Sequence, residues 1–535
     1  MVKRLKVTFT ILLLVFCILL GQLLRISYGK PAQVAASQNS WTVNVASSRG
    51  TIYDTNLEPL VNEKHIYSAA LGPSEALLSH IYSSTTTEDF AALREQLRKG
   101  LPGAVRLTQP VAFIDGLELF WTPTRYDDRL AAPHVIGYLD SGETKGVAGI
   151  ERDYDELLTR YNGKATATFA VDGSGRLLAG VEPYCQDTTK NSVGGIVLTL
   201  DKNIQQIVES VGDESLNKGA LLVMRSDSGE VVAMASYPTF QPNSVAESIE
   251  TDNGALLNRA VSLYDCGSVF KMITTAAALE QGVPVDTAFD CCGFIDVEDV
   301  RFHCHNRLGH GKLSMTDAFA QSCNLYYIQL AERIGAQAVY DMAIKFGLAE
   351  SLSLSASITA PQAVLPDINT LLSSRSATAN FSFGQGYLMV SPLHIAKIAA
   401  VISNGGIDTT PSLIKGFVDE KLQFSAVQEG RGGKRIISRT TADALQRMME
   451  KVVTDGTGQS ASPNSCTAAG KTGTAETGQI SGDARVTQSW FVGYIPAENP
   501  QFVICALTED ANNASEKSTV LFRKIADKLS EEGII

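Results

Sequence analysis

At 535 residues the chain is longer than one ordinary core, and roughly one domain per 150 residues predicts two or three folding units. With 44% hydrophobic and 19% charged residues, its composition excludes wholesale disorder. A net charge of −12, with no basic stripe beyond the first thirty residues, argues against a nucleic-acid partner, because phosphate binding needs clustered Lys and Arg.

Lys3, Arg4 and Lys6 precede an uncharged run from Val7 to Leu24. At about 1.5 Å per helical residue that run approaches the thickness of a bilayer core, so it reads as one transmembrane span. Only Arg25 and Lys30 follow closely, and the positive-inside rule then places the N-terminus in the cytoplasm and the rest outside. A cleaved signal peptide is the alternative; its apolar region would be shorter, and the best small-residue site, Val34-Ala35-Ala36, lies far from the end of the run. Pro31 to Ser47 is small and polar, as a stalk would be, and Ser48 to about Leu178 reads only as mixed α+β.

From Gly194 onward the pattern sharpens. Ile196 to Leu200 predicts a strand and Lys202 onward a helix; Gly219 to Met224 and Glu230 to Ser236 predict a hairpin with turn chemistry at Ser226-Asp-Ser-Gly229. Met272, Ile273, Ala276 and Leu279 recur at helical spacing after Ser268, with Gly282 and Pro284 as stop signals. Ser314, with Asp317 three residues on, predicts another helix start. Ser489 to Ile495 and Gln501 to Thr508 read as strands, and Leu521 to Glu531 as a closing helix. Strands at both ends of this region with helices between them predict one antiparallel sheet flanked by helices.

Cys291, Cys292 and Cys304 interleave with His303, His305 and His310, yet offer no paired Cys-x2-Cys spacing, so no metal site is expected. A disulfide from Cys304 to Cys291 or Cys292 and free thiols both fit the sequence.

Three short motifs occur in order: Ser268-Val-Phe-Lys271, Ser322-Cys-Asn324 and Lys471-Thr-Gly-Thr474. Each alone is as readily a helix cap, a polar loop or a turn, and Ser27-Tyr-Gly-Lys30, Ser412-Leu-Ile-Lys415, Ser37-Gln-Asn39 and Ser462-Pro-Asn464 repeat two of them. Only Ser268 opens a strongly patterned helix, which puts its hydroxyl and the Lys271 amine one turn apart on one face. A serine nucleophile without histidine needs such an amine, uncharged through burial or a neighbouring cation such as Lys471. Lowering a lysine from about 10.4 to near 7 costs on the order of 4 to 5 kcal/mol, which requires a dry site or a second positive charge. Ser465 stands where a Walker loop needs its first glycine, and no Gly-x-Ser-x-Gly elbow is present.

Together the three motifs resemble the signature of penicillin-binding proteins and serine β-lactamases. Asn258-Arg-Ala260, Tyr264-Asp-Cys-Gly267, Gly384-Gln-Gly386, Ser391-Pro-Leu393, Gly456-Thr-Gly458 and Ser489-Trp-Phe-Val-Gly-Tyr494 narrow the resemblance to the transpeptidase domain of class B penicillin-binding proteins of sporulation or division type. Ser48-Arg-Gly-Thr-Ile-Tyr-Asp54, Gly149-Ile-Glu151 and Tyr154 resemble that class's pedestal, or dimerisation, domain, although Thr55 and Leu57 replace its usual Arg and Gly. The implied architecture is multidomain α+β: a cytoplasmic tip and transmembrane anchor over 1–30, a stalk and pedestal over 31–185, and a serine β-lactamase-like domain over 190–535 with a five-stranded antiparallel sheet.

The resemblance implies a cell-membrane, single-pass D,D-transpeptidase whose catalytic domain is extracytoplasmic. Ser268 is the implied nucleophile toward peptidoglycan stem peptides ending in D-Ala-D-Ala and toward β-lactams, and Lys271 is the implied base. Ser322 and Lys471 relay the leaving-group proton, while Asn324 holds Lys271 and the substrate amide. Thr472, Gly473 and Thr474 bind substrate along an edge strand, and the N–H groups of Ser268 and Thr474 form the oxyanion hole. No cofactor is implied; a polytopic membrane glycosyltransferase is an implied partner. The alternatives are a β-lactamase or lactam sensor on the same fold, a D,D-carboxypeptidase, and a non-catalytic scaffold for such a glycosyltransferase.

Overall fold

The computed structural model describes residues 2–28, 39–172, 176–178, 180–251, 253–427, 433–481, 484–509 and 514–535. Helix α1, Val2–Tyr28, carries the apolar run on 27 residues, and its section Lys3–Tyr28 is long and apolar enough to cross a membrane. The chain falls into two compact units. The smaller holds residues 1–50, 62–127 and 159–194, and the larger holds 51–61, 128–158 and 195–535.

In the smaller unit, β1 (Ser40–Ser48) pairs antiparallel with β5 (Gly163–Ala170), which pairs with β6 (Tyr184–Asp187). Part of the expected stalk is therefore strand, because Val43 sits opposite Ala167 and shares a core with Ala165 and Phe169. Residues 31–38 of that stalk, with the Val34-Ala35-Ala36 site, lie outside the described residues. A second sheet places β2 (His65–Leu71) between β3 (Gly103–Arg106) and β4 (Leu117–Pro123). Helices α2 (Glu75–Ile81) and α3 (Thr87–Arg98) start where Ser74 and Thr86 accept from Leu77 and Asp89 N–H groups, and they bury Leu78, Ile81, Leu93 and Leu97 with Leu71 and Leu117.

The larger unit is built on a five-stranded antiparallel sheet. Taking β7 as Gly219–Arg225, β8 as Val231–Tyr237, β14 as Ala469–Ser481, β15 as Ala484–Ile495 and β16 as Phe502–Thr508, the order is β8-β7-β16-β15-β14. The expected hairpin and closing strands thus meet, with β7 beside β16 from Gly219↔Thr508 to Arg225↔Phe502. Leu221, Val223, Phe491 and Ile504 pack beneath α4 (Lys202–Ser215) and α10 (Ala514–Glu531), the latter starting earlier than the expected Leu521. The alternate residues Leu222, Val492 and Cys505 are equally buried, and α8 (Pro392–Ser403), buried at every position, packs on the same three central strands. Strand β14 is left as a sheet edge.

Between these strands lie α5 (Lys271–Glu280), the short strands β9 (Ala288–Cys291), β10 (Phe294–Val297), β11 (Val300–His303) and β12 (Gly311–Ser314), then α6 (Met315–Ala320), α7 (Asn324–Ile334), β13 (Ile414–Val418) and α9 (Arg439–Thr454). β9 pairs with β12 and β10 with β11. Ser314 caps α6 as its spacing predicts. The helix expected from Ser268 begins instead as a tight 3-10 turn, Gly267–Phe270, before α5. Gly267 causes the difference: its φ of +60° and its N–H bond to Gly384 O (2.9 Å) hold the turn apart from the regular helix.

Candidate active site

The 3-10 turn presents Ser268 at the surface of a cleft, and the following residue pattern drives Lys271 inward until it is wholly buried. The amine of Lys271 donates to Ser268 Oγ at 3.1 Å, Ser322 O at 2.7 Å, Ser322 Oγ at 3.2 Å and Asn324 Oδ1 at 2.7 Å. From the edge strand β14 the buried Lys471 amine donates to Ser322 Oγ at 3.1 Å and to Thr472 O at 3.0 Å. Ser322 thus stands between two amines. All five residues expected to do chemistry meet in one place, although they come from three remote stretches of chain.

Local backbone arranges each member. Ser322 follows α6 with φ +52°, an uncommon conformation for a residue with a Cβ, and this aims its hydroxyl at both lysines. Asn324 opens α7. A Cβ on Gly267 would lie 2.6 Å from Thr474 O, and one on Gly473 would lie 2.9 Å from Val269 Cγ1. Two glycines therefore let the edge strand approach the nucleophile turn, setting Ser268 beside Thr474. Behind the turn Trp490 Nε1 donates to Asp265 O (3.0 Å), while Tyr264 Oη and Arg259 Nε both reach Glu509 Oε1 at 2.6 and 2.9 Å.

Burial governs the electrostatics. It draws the Lys271 pKa down to about 7, against the opposing charge of the Cys323 and Cys304 thiols. Burial, then the neighbouring Lys271, holds Lys471 well below the ordinary lysine range. The rings of Tyr327 and Phe319 face these two amines at 5.3 and 5.6 Å, contacts that favour whatever charge remains. A dry site, rather than a second cation, is thus the main device that frees the Lys271 lone pair.

The cleft, about 780 Å³, is lined by Ser268, Ser322, Asn324, Thr472 and Thr474 together with residues to which the sequence reading assigned no role. Thr457 bonds Thr472 through their hydroxyls at 2.7 Å, and Asn380, Phe383 and Gln385 form another part of the lining. Gly456-Thr-Gly458 and Gly384-Gln-Gly386 carried the family resemblance, which is the one sequence signal for Thr457 and Gln385. His303, Cys304, His305 and Arg307 also line it; the sequence had marked the first three only as candidate metal ligands, and nothing marked Arg307. The duplicate Ser-x-x-Lys serines do not join the site: Ser27 lies in α1, and Ser412 bonds Val231 N and Thr199 Oγ1 through its carbonyl, while Lys30 and Ser37 lie outside the described residues.

All nine cysteines are free, so no disulfide joins Cys304 to Cys291 or Cys292. The fold departs from the expectation of no metal-ligand set: Cys291, Cys304, His310 and Cys323 bring their ligand atoms within 4.8 Å of one another. Spacing concealed this set because Cys323 belongs to the Ser322-Cys-Asn324 motif.

A serine and a buried, low-pKa lysine in one cleft, beside a sheet edge, are the groups that acyl transfer through a serine would need. Residues 219–527 match the family described as penicillin binding protein transpeptidase domain. The chain belongs to that family. It is 28% identical over 387 residues to stage V sporulation protein D of Bacillus subtilis, covering 69% of this chain and 57% of that protein. Peptidoglycan D,D-transpeptidase PbpA of Mycobacterium tuberculosis is 30% identical over 375 residues, covering 64% and 72%. Among solved structures, the D,D-transpeptidase domain of a peptidoglycan glycosyltransferase from Eggerthella lenta aligns with a TM-score of 0.67 at 24% identity, over 92% of this chain and all of that one. Penicillin-binding protein 3 of Mycobacterium tuberculosis, complexed with aztreonam, aligns at 0.65 and 23% identity over 92% and 98%. These likenesses establish the fold.

Proposed function

We propose that the protein is a peptidoglycan D,D-transpeptidase that works through an acyl-enzyme on Ser268 and is trapped there by β-lactams. The observation that carries this reading is the buried Lys271 amine 3.1 Å from Ser268 Oγ. Lys271 takes the hydroxyl proton as Ser268 attacks the penultimate D-Ala carbonyl of a stem peptide. The N–H groups of Ser268 and Thr474 stabilise the tetrahedral oxyanion. As the C–N bond breaks, Ser322 passes a proton from the lysine pair to the departing D-Ala amine. An amine from a neighbouring stem then attacks the ester, and Ser268 regains its proton. Thr472, Gly473 and Thr474 take up the substrate backbone as an added strand on the exposed edge of β14.

Helix α1 serves in this reading as a single-pass anchor, the smaller unit as the pedestal, and the larger unit as the extracytoplasmic enzyme. A polytopic membrane glycosyltransferase is the proposed partner that would supply glycan strands. The test is labelling of the full chain in detergent with a fluorescent penicillin, read by intact mass. The parent is expected to gain one penicilloyl group that persists for hours, and Ser268→Ala none. Rapid loss of the adduct to water would turn the reading toward a β-lactamase, and absence of an adduct on folded parent would remove it. Incubation with a pentapeptide donor and an amine acceptor separates cross-linking from carboxypeptidase release.

A further inference from the structure

Beside the catalytic cleft, four side chains from four separate segments converge. Cys291 ends β9, Cys304 follows β11, His310 precedes β12, and Cys323 lies between Ser322 and Asn324. His310 Nδ1 is 3.5 Å from both Cys291 Sγ and Cys304 Sγ, and Cys304 Sγ is 3.9 Å from Cys323 Sγ. A tetrahedral zinc ion with Zn–S of about 2.3 Å and Zn–N of about 2.0–2.1 Å has edges of about 3.8 Å between sulfurs and about 3.5–3.6 Å from sulfur to nitrogen. These three of the six separations match those edges, and all six lie within 4.8 Å. A hydrogen bond to the single in-plane lone pair of His310 Nδ1 uses only one of the two thiols standing 3.5 Å from it, and Cys304 Sγ has His305 Nδ1 at 3.8 Å as a further partner. A disulfide does not explain the cluster, since the thiols are free and bonded sulfurs would stand about 2.05 Å apart.

The surrounding backbone is shaped around the cluster. Gly293 and Gly309 have φ of +94° and +84°, and Cβ atoms there would lie 2.2 Å from Arg307 O and 2.3 Å from Cys291 O. Cys304 N–H bonds Gly293 O at 3.0 Å, and Asn306 closes the intervening turn by bonding Gly309 O at 2.8 Å. Register places Cys291 opposite Gly311, next to His310. The three cysteines are buried and His310 is partly so, which leaves no open coordination position of the kind a catalytic metal keeps.

We propose that Cys291, Cys304, His310 and Cys323 bind one zinc(II) ion at a closed structural site, and that this ion fixes the Ser322–Asn324 turn against the cleft. Binding releases the thiol protons as three Zn–S bonds and one Zn–N bond form, giving a site of net charge −1. Cys323 is the mechanical link, since the ligand and the hydroxyl shared by Lys271 and Lys471 are on adjacent residues. The positional half rests on the acyl-enzyme reading; the metal half stands without it.

Purify the full chain in detergent under reducing conditions from zinc-supplemented cells and measure metal by mass spectrometry. About one zinc per chain is expected. Cys304→Ser and His310→Ala should lose it, whereas Cys292→Ser, at an exposed thiol outside the cluster, should keep it. Replacing zinc by cobalt(II) in the parent should give thiolate-to-cobalt charge-transfer absorption, a readout that needs no variant to fold. Stripping zinc should slow fluorescent penicillin labelling by about tenfold or more, and zinc addition should restore it. Below about a tenth of an equivalent of zinc with no cobalt band, or a mass lower by the two hydrogens of a disulfide, overturns the site. Equal zinc loss from Cys292→Ser also overturns it. Unchanged labelling of stripped protein overturns the positional role alone, and a zinc-loaded parent that takes no penicillin counts against Ser268 chemistry instead.

Discussion

Lys271 can accept the Ser268 proton only while its amine is neutral, and burial brings that condition within reach by lowering its pKa to about 7. The groups facing it are Lys471 from β14, the Cys323 and Cys304 thiols and the Tyr327 ring from α7. Penicillin acylation should therefore rise about tenfold per pH unit below about pH 7 and level off above it. Lys271→Met should cut the rate by about 10²–10⁴ and remove that profile, as rapid-quench labelling would report. Stability carries the same signature. The folded state holds no proton on Lys271 between about 7 and 10.5 while the unfolded chain does, so stability should increase with pH across that window. Below it the buried charge costs on the order of 5 kcal/mol, a burden the remaining structure must offset. Denaturant midpoints at pH 7 and 9 should diverge more in the parent than in Lys271→Met; equal slopes would show that the amine is not desolvated. These residues were legible because the nucleophile and its amine share one short helical segment. Cys323 as a ligand, and Thr457 bound to Thr472, were not, because contacts between distant segments leave no period in the sequence.

At the scale of elements, the site exists because three backbones touch. A Cβ on Gly384 would lie 1.9 Å from Gly267 O, and Gly384 itself has φ +86°. Gly384→Ala should thus cost more than the roughly 1–3 kcal/mol of a left-handed backbone alone, and should also displace the Ser268 turn. Gly282→Ala is the matched control: its φ is +79° with no atom within 4 Å of the added methyl. Both should lower the unfolding midpoint, but only Gly384→Ala should slow penicillin labelling at a temperature where each remains folded. Similar labelling in both would show that the turn tolerates separation from its neighbour. The hairpin β7–β8, α4, α6 and the closing strands were readable from alternation and caps, since each is a local pattern. The 3-10 turn at Gly267–Phe270 was not, for its cause is Gly384, more than a hundred residues further along. Strand β1 carries an alternation of its own in Trp41, Val43 and Val45, but it lies inside a stretch whose composition otherwise suits a stalk, and its burial comes from the distant partner β5.

For the molecule as a whole, the sequence indicated a membrane span and an enzyme domain, while the division between units required coordinates. Segments 51–61 and 128–158 belong to the larger compact unit although both fall inside the range expected for the pedestal, because Thr51–Tyr53 pairs in parallel with Gly195–Leu198 and Asp153 accepts from Ser355 and Ser357. Sequence order cannot reveal such exchange between units. The whole-chain reading makes a topological prediction. Three cations precede the apolar stretch of α1, and on the proposed function the substrate stems are cross-linked outside the membrane, so the larger unit is predicted to face outward. In protoplasts, external protease should destroy fluorescent-penicillin labelling of the full chain, and carbonate washing should leave the intact chain in the membrane pellet. Replacing Leu13 and Leu20 by Arg should abolish that retention, because each central Arg costs about 2.5–3.5 kcal/mol on insertion. Protection of the labelled unit until the membrane is permeabilised would reverse the assigned orientation, and with it the access of Ser268 to extracytoplasmic stems.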